Sequence, residues 1–244
     1  MHPITHVDLN CDMGEIPEHI ADGTQEALMR SITSVNIACG GHAGDEQTMK
    51  DTIGQALRWD LTIGAHPGYP DRANFGRLEM DLPLSEIEIT VFEQVRALAV
   101  VAATFATAIV HVKPHGALYN QAVKRPDLAG AIANGVARFS KDLVLVGLAG
   151  SPMLDAFRAA GFRVAAEAFA DRTYEADGTL RSRKFDDALI RDPARAGEQA
   201  LRIAREGLAQ TICIHGDTPG APKIAESVAA TLQAGGISLR PLSI

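Results

Sequence analysis

The chain has 244 residues, 46% hydrophobic and 22% charged, with a formal net charge of -7 from 23 basic and 30 acidic side chains. These globular values exclude disorder and fibrous structure, and the basic excess of a nucleic-acid binder is missing. No apolar run approaches the roughly 18 residues of a membrane span, the opening MHPITHVDLNCD has no secretory pattern, and three cysteines do not make a disulfide framework, so a soluble, acidic, cytoplasmic protein with no membrane or nucleic-acid partner is expected.

Short strand-like runs alternate with longer helical ones. His6–Asn10 and Val35–Cys39 read as strands, and a helix follows over Glu46–Trp59 with Asp45 as its cap. Leu61–His66 is the next strand, then a helix over Leu84–Phe105, where Ser85 and Glu88 have the spacing of a capping box. Ile109–Lys113, Leu143–Gly147, Phe162–Glu167 and Thr211–His215 complete the strands. Asp127–Phe139, Pro152–Ala160, Pro193–Leu208 and Ala221–Ala234 complete the helices, with Gly161 and Gly235 as stops. No repeat or linker interrupts the pattern, so residues 1–244 read as one α/β domain. Two architectures accommodate it: a closed barrel of parallel strands or an open doubly wound sheet. The turn after the first strand, Asn10-Cys11-Asp12-Met13-Gly14-Glu15, is acidic and repels phosphate, and no Walker pattern occurs.

Residues two apart in a strand share a face. His6, Asp8 and Asn10 align on the first strand, Thr62, Gly64 and His66 on the third, and His111 and Lys113 on the fourth, with His115 just beyond. Ala165 and Glu167 align on the sixth. Thr211, Cys213 and His215 align on the seventh, with Asp217 beyond. The polar set therefore points inward and gathers at the strand C-termini, where parallel α/β proteins keep their active sites. His6 and His111 lie deeper and read as structural. Asp8 is placed to pair with Lys113, either as a structural ion pair or to hold that lysine in a catalytic role. Cys39 and Cys213 read as small buried apolar residues rather than nucleophiles.

Longer runs carry a family signature: Asp8-Leu9-Asn10-Cys11-Asp12-Met13-Gly14-Glu15, then Asn36 to Asp45 (NIACGGHAGD), Gly64 to Asp71 (GAHPGYPD) and Phe75-Gly76-Arg77. Val112 to Asn120 (VKPHGALYN), Glu167 to Tyr174 (EAFADRTY) and His215-Gly216-Asp217-Thr218-Pro219 follow. Their order and spacing resemble the LamB/YcsF family of 5-oxoprolinase A subunits, from residue 7 to about residue 240. The resemblance implies a seven-stranded (β/α) barrel similar to the glycoside hydrolase/deacetylase fold. It also implies ATP-dependent opening of 5-oxo-L-proline to L-glutamate, with release of ADP and phosphate, in company with B and C subunits. Leu78 stands where the family has a second arginine, Ile16-Pro17-Glu18 replaces a Gly/Phe-rich continuation, and the loop Arg181-Ser182-Arg183-Lys184-Phe185 keeps its basic residues in an altered context.

A stable lactam needs ATP to activate it, a base for water, positive groups for the oxyanion and a clamp for the substrate carboxylate. The catalytic candidates are Asp8, His66, Lys113, His115, Glu167 and His215, with Lys113 the electrophile. His66, His115, His215 and Glu167 all remain open as base or acid. The substrate-binding candidates are Asn10, Asp12, His42, Asp45, Arg77, Arg172 and Asp217, with Arg77 or Arg172 on the carboxylate. ATP is expected with Mg2+, at a composite site or on the partner subunits. The metal question turns on Asp8, His42, His66, His115 and His215: with the Lys113 ammonium among them, no tightly bound metal is expected. The rival readings are a metal-dependent deacetylase or amidohydrolase acting alone, and a non-catalytic substrate-binding subunit.

Overall fold

The computed structural model describes residues 5–242. Seven parallel strands run β1 His6–Met13, β2 Ser34–Ala38, β3 Thr62–His66, β4 His111–Val112, β5 Val144–Leu148, β6 Arg163–Phe169 and β7 Thr211–Ile214. Each pairs with the next, β7 returns to β1, and β1 also pairs with β2, so the sheet closes into a barrel. This decides between the two architectures. A further strand, β8 Ser238–Leu239, pairs with the start of β1 outside the ring.

Nine α-helices occur among the described residues: α1 Pro17–Ala21, α2 Thr24–Met29, α3 Glu46–Arg58, α4 Leu84–Thr104, α5 Gly116–Lys124, α6 Pro126–Ala137, α7 Pro152–Ala159, α8 Pro193–Glu206 and α9 Ala221–Ala234. They surround the barrel, α4 packing on α6 and α8 on α9. None is long and apolar enough to cross a membrane.

Strand alternation sets the layers. On β1, Val7, Leu9, Cys11 and Met13 join the apolar core beneath the helices. Asp8, Asn10 and Asp12 turn into the barrel, where their partners come from β2, β4, β6 and β7. The interior is polar above a small apolar floor of Val144, Val146 and Ala165, on which Leu242 packs.

Three local expectations are corrected. The first helix turn of α4 is capped by Pro83 without a side-chain bond, so Ser85 caps nothing. Glu88 instead accepts from Asn134 of α6 at 2.9 Å, because tertiary packing offers it a better donor than its own helix end. His6 is exposed at the barrel's lower edge rather than deep. The fourth strand is short, although Val110 and Lys113 continue its backbone bonding to β3. Asp45 caps α3 as expected, in a reciprocal box with Thr48.

Candidate active site

Lys113 is the centre of the barrel mouth. It directly follows β4 and is 2% exposed. Its ammonium lies 2.9 Å from Asp12 Oδ1, 3.0 Å from Glu167 Oε1, 3.0 Å from Cys213 Sγ and 3.4 Å from Asn10 Oδ1. The Phe169 ring lies beneath it, 5.4 Å to the centroid. Burial alone would lower the lysine's affinity for its proton. Asp12, Cys213 and Glu167 overcome this and hold it well above the usual lysine range, so it is a fixed cation and not a base. The charges of His66 and Lys113 in turn hold Asp12 well below the usual carboxylate range despite its burial. Among the described residues, Glu167 Oε2 and the Tyr119 hydroxyl have no hydrogen-bond partner, and both are buried in the same interior.

A histidine cluster sits to one side. His66 ends β3 and its Nδ1 donates to the Lys113 carbonyl at 2.7 Å. His115, at the start of α5, bonds through Nε2 to the Phe75 carbonyl at 2.9 Å. His66 Nε2 and His115 Nδ1 then face one another at 3.0 Å. Glu15 Oε1 lies 3.1 Å from His115 Nδ1, 3.7 Å from His66 Nε2 and 2.8 Å from His42 Nε2. The His42 and His115 rings stack at 3.6 Å. Glycines make this packing possible. A Cβ on Gly76, whose φ is +62°, would lie 2.6 Å from His42 Cβ. One on Gly68 would lie 2.6 Å from His42 Nδ1. Gln94 of α4 clamps Gly68 through both its backbone groups.

On the other side, His215 follows β7. Its Nδ1 lies 2.9 Å from Asp171 Oδ1, and its backbone N–H donates to Asp171 Oδ2 at 3.1 Å. Thr218 also donates to that carboxylate at 3.0 Å. The imidazole stacks on Phe169, with centroids 5.3 Å apart. Above the mouth, Arg77 and Arg183 converge on Asp217 from two other loops. Burial alone would raise the Asp217 pKa; Arg183, His215 and Arg77 bring it down to about 2. A small cleft opens between these layers, lined by Asp12, Glu15, His19, Gln25 and Asp217.

The expected residues divide accordingly. Asn10, Asp12, His42, His66, Lys113, His115, Glu167 and His215 come together, and Arg77 and Asp217 sit above them. Three others are reassigned. Asp8 does not pair with Lys113: it lies lower on β1 and accepts from Thr33 at 2.7 Å and from Ser34 and Thr211. Burial raises its pKa. Asp45 is exposed at a helix cap away from the barrel interior. Arg172 is committed to the carbonyls of Ala188 at 3.3 Å and Arg181 at 2.6 Å, so it anchors its own loop. Glu15, Asp171, Arg183 and Cys213 were missed as site residues. The first two stand inside the quoted runs DLNCDMGE and EAFADRTY, and run membership was the only available signal for them.

Comparison with known proteins agrees with this fold. The model of the LamB/YcsF family matches residues 7–244. The chain belongs to the LamB/YcsF family. A LamB/YcsF relative from Chloroflexus aggregans, named as a 5-oxoprolinase A subunit, is 46% identical over 96% of this chain and 98% of its own. The 5-oxoprolinase A subunit of Bordetella parapertussis is also 46% identical, over the same shares. Among solved structures, the lactam utilization protein of Thermus thermophilus superposes with a TM-score of 0.90 at 36% identity, covering 97% of this chain and all of that one. The catalytic domain of a peptidoglycan N-acetylglucosamine deacetylase from Eubacterium rectale shares the fold at 10% identity, with a TM-score of 0.55.

Proposed function

We propose that this LamB/YcsF chain is the A subunit of a 5-oxoprolinase, opening 5-oxo-L-proline to L-glutamate at the expense of ATP together with B and C subunits. The observation that carries the reading is the permanently charged Lys113 at the end of β4, beside partnerless Glu167 Oε2, in a chain 46% identical to proteins named as 5-oxoprolinase A subunits. Two bonds are broken, the lactam C–N bond and a phosphoanhydride, and each takes up one water. ATP, carried with Mg2+ at a composite or partner site, transfers its γ-phosphoryl group to the amide oxygen and makes the ring carbon electrophilic. Lys113 stabilises the negative charge that develops at the tetrahedral centre when water adds to the activated ring carbon, in a buried interior where a fixed charge acts strongly. His215, oriented by Asp171, takes the proton of the attacking water and returns it to the departing ring nitrogen, which leaves an acyl phosphate that the second water hydrolyses to glutamate and phosphate. Glu167 Oε2 receives the ring N–H and keeps the lactam in register. Arg77 and Arg183, both held by Asp217, meet the substrate carboxylate at the mouth.

The three cysteines are free and buried, which suits a reducing compartment, and the cytoplasm is the proposed location. The test is reconstitution. Purified chain with ATP and 5-oxoproline should release little glutamate, and adding the B and C subunits should restore release. Full turnover by the isolated chain would reject the multisubunit reading. No turnover by the complete set would reject the activity.

A further inference from the structure

Two imidazoles in the histidine cluster are locked from behind. His66 spends its Nδ1 on the Lys113 carbonyl and His115 its Nε2 on the Phe75 carbonyl, at 2.7 and 2.9 Å. A carbonyl only accepts, so each of those nitrogens carries the hydrogen. The opposite nitrogens, His66 Nε2 and His115 Nδ1, face each other at 3.0 Å, with the Glu15 carboxylate oxygen beside both. Two ring nitrogens and a carboxylate oxygen thus converge on one buried point, a donor set that either a proton or a metal ion can fill. A carbonyl or carboxylate behind each imidazole is also the arrangement that orients metal-ligating histidines. The backbone is bent to provide it: Phe75, which supplies one carbonyl, is held at a φ of +56°, a conformation costly for a bulky residue outside functional sites.

We infer that Glu15 Oε1, His66 Nε2 and His115 Nδ1 form a binding site for one divalent transition ion of the zinc class. The three sides of the triangle they define measure 3.0, 3.1 and 3.7 Å. Ligands of a tetrahedral ion with bonds of about 2.0–2.1 Å stand about 3.3 Å apart, which these sides bracket. Two imidazoles and one carboxylate suit zinc, cobalt or iron rather than magnesium or calcium. Three protein ligands leave a fourth position for water or substrate, and the cleft at the mouth reaches Glu15. His42 Nε2 bonds the same Glu15 oxygen at 2.8 Å and fixes its direction, while Gly68 and Gly76 leave room for the stacked rings.

The expectation of no tight metal rests on a lysine among the ligands. Lys113 instead turns its ammonium to Asp12, Glu167 and Cys213, and among the described residues no ion pair or hydrogen bond joins that ammonium to Glu15, His42 or His115. Asp12 lies between the two, with Oδ1 on Lys113 at 2.9 Å and Oδ2 3.3 Å from His66 Nε2. The cation of the lysine and that of the ion thus share a carboxylate rather than a space. A second grouping, Asp12, Cys213 and His215, also brings three donors together, but the Lys113 ammonium already lies 3.0 Å from Cys213 Sγ and 2.9 Å from Asp12 Oδ1, so a second cation there would meet the lysine.

The inference does not depend on the proposed activity, and its readouts are binding and spectra. Apo chain, prepared by dialysis against chelator, would be titrated with Zn2+ in competition with a chromophoric chelator, and with Co2+ in the visible region. The expected result is about one ion per chain and Co2+ bands of low-coordinate N/O ligation. Glu15→Gln and His115→Ala should each weaken Zn2+ binding at least tenfold, with folding checked by circular dichroism. Cys213→Ala should leave binding unchanged. If both ligand variants fail to fold, Zn2+ should still raise the unfolding temperature of the wild-type chain, and His42→Ala should lower its affinity. No Zn2+ binding by the wild type would overturn the inference and leave a shared proton in the triangle. Loss of binding in Cys213→Ala with retention in Glu15→Gln would overturn it in favour of the other grouping.

Discussion

Asp171 holds His215 by two different groups: one carboxylate oxygen lies 2.9 Å from the ring Nδ1, and the other accepts the backbone N–H at 3.1 Å. Ring and main chain are thereby fixed relative to one carboxylate that is itself fully buried. The bond at Nδ1 places that nitrogen's hydrogen toward Asp171 and leaves Nε2 free to accept a proton, the tautomer that a general base needs. Burial would raise the Asp171 pKa, but His215 and Thr218 hold it below the usual carboxylate range, so the orienting charge persists.

Asp171→Asn should therefore reduce kcat of the reconstituted enzyme about 100-fold or more, in keeping with the value of a positioned base. KM for 5-oxoproline should change little, because Asp171 acts through His215. Steady-state kinetics with a fold check decides the matter. A change confined to KM, or none, would leave Asp171 as a structural brace for the loops after β6 and β7.

Lys113→Met should lower turnover about 100- to 1000-fold, the usual effect of removing one oxyanion-stabilising group. It should also destabilise the fold by about 3–5 kcal/mol, because Asp12 and Glu167 lose their buried countercharge. A Lys113→Met, Glu167→Gln double variant should recover part of that stability without recovering turnover. Urea unfolding of the three proteins measures the first effect and glutamate release the second. Near-normal turnover in folded Lys113→Met would make the lysine a structural group.

His111 gives the fold an acid-sensitive point. It fills the space left by the missing side chain of Gly64, and its Nε2 contacts Asn36 Oδ1 at 2.8 Å. Burial, assisted by Lys113 and His66, lowers its pKa from 6.5 to about 3. The unfolded chain takes up a proton below 6.5 and the folded chain does not until about 3, so this residue's contribution is complete above 6.5 and falls as pH drops between those values. The expected slope is up to about 1.4 kcal/mol per pH unit. His111→Gln should flatten the pH dependence of the urea midpoint between these limits. An unchanged slope would place the acid sensitivity elsewhere.

At the mouth, Asp217 gathers Arg77 and Arg183 while Arg172 is spent on backbone carbonyls. Arg183→Ala and Arg77→Ala should raise KM for 5-oxoproline about tenfold each, the cost of a lost charged hydrogen bond at a partly exposed site. Arg172→Ala should instead lower the unfolding temperature by releasing the 181–188 loop. Kinetics and thermal unfolding of the three variants separate a substrate clamp from a loop anchor, and a KM effect of Arg172→Ala alone would reverse the assignment.

Composition and periodicity by themselves determined the layer order of this protein. Alternation on β1 put Val7 and Leu9 under helices and Asp8 and Asn10 inside, and it put His66, Lys113, Glu167 and His215 on the inner face of their strands or at their ends, because a strand's side-chain direction follows from position alone. The resemblance of the longer runs supplied the seven-stranded barrel. Closure of the sheet, and with it the choice against an open one, rests on β1 pairing with both β7 and β2, a long-range contact that no local pattern encodes. The short helices α1, α2 and α5 went unseen because a few residues carry too little periodicity, and α5 starts at a glycine with a φ of +52°. Depth also lay beyond the sequence. Asp8 and Asp12 face the same way, but only the upper one reaches Lys113, since the distance along a tilted strand decides which partner is near. Glu15 and Asp171 lie outside any strand, so the direction of their side chains is set by loop backbone, which beside Glu15 includes Gly14 at a φ of +72°. That backbone takes its shape from the packing of the whole barrel.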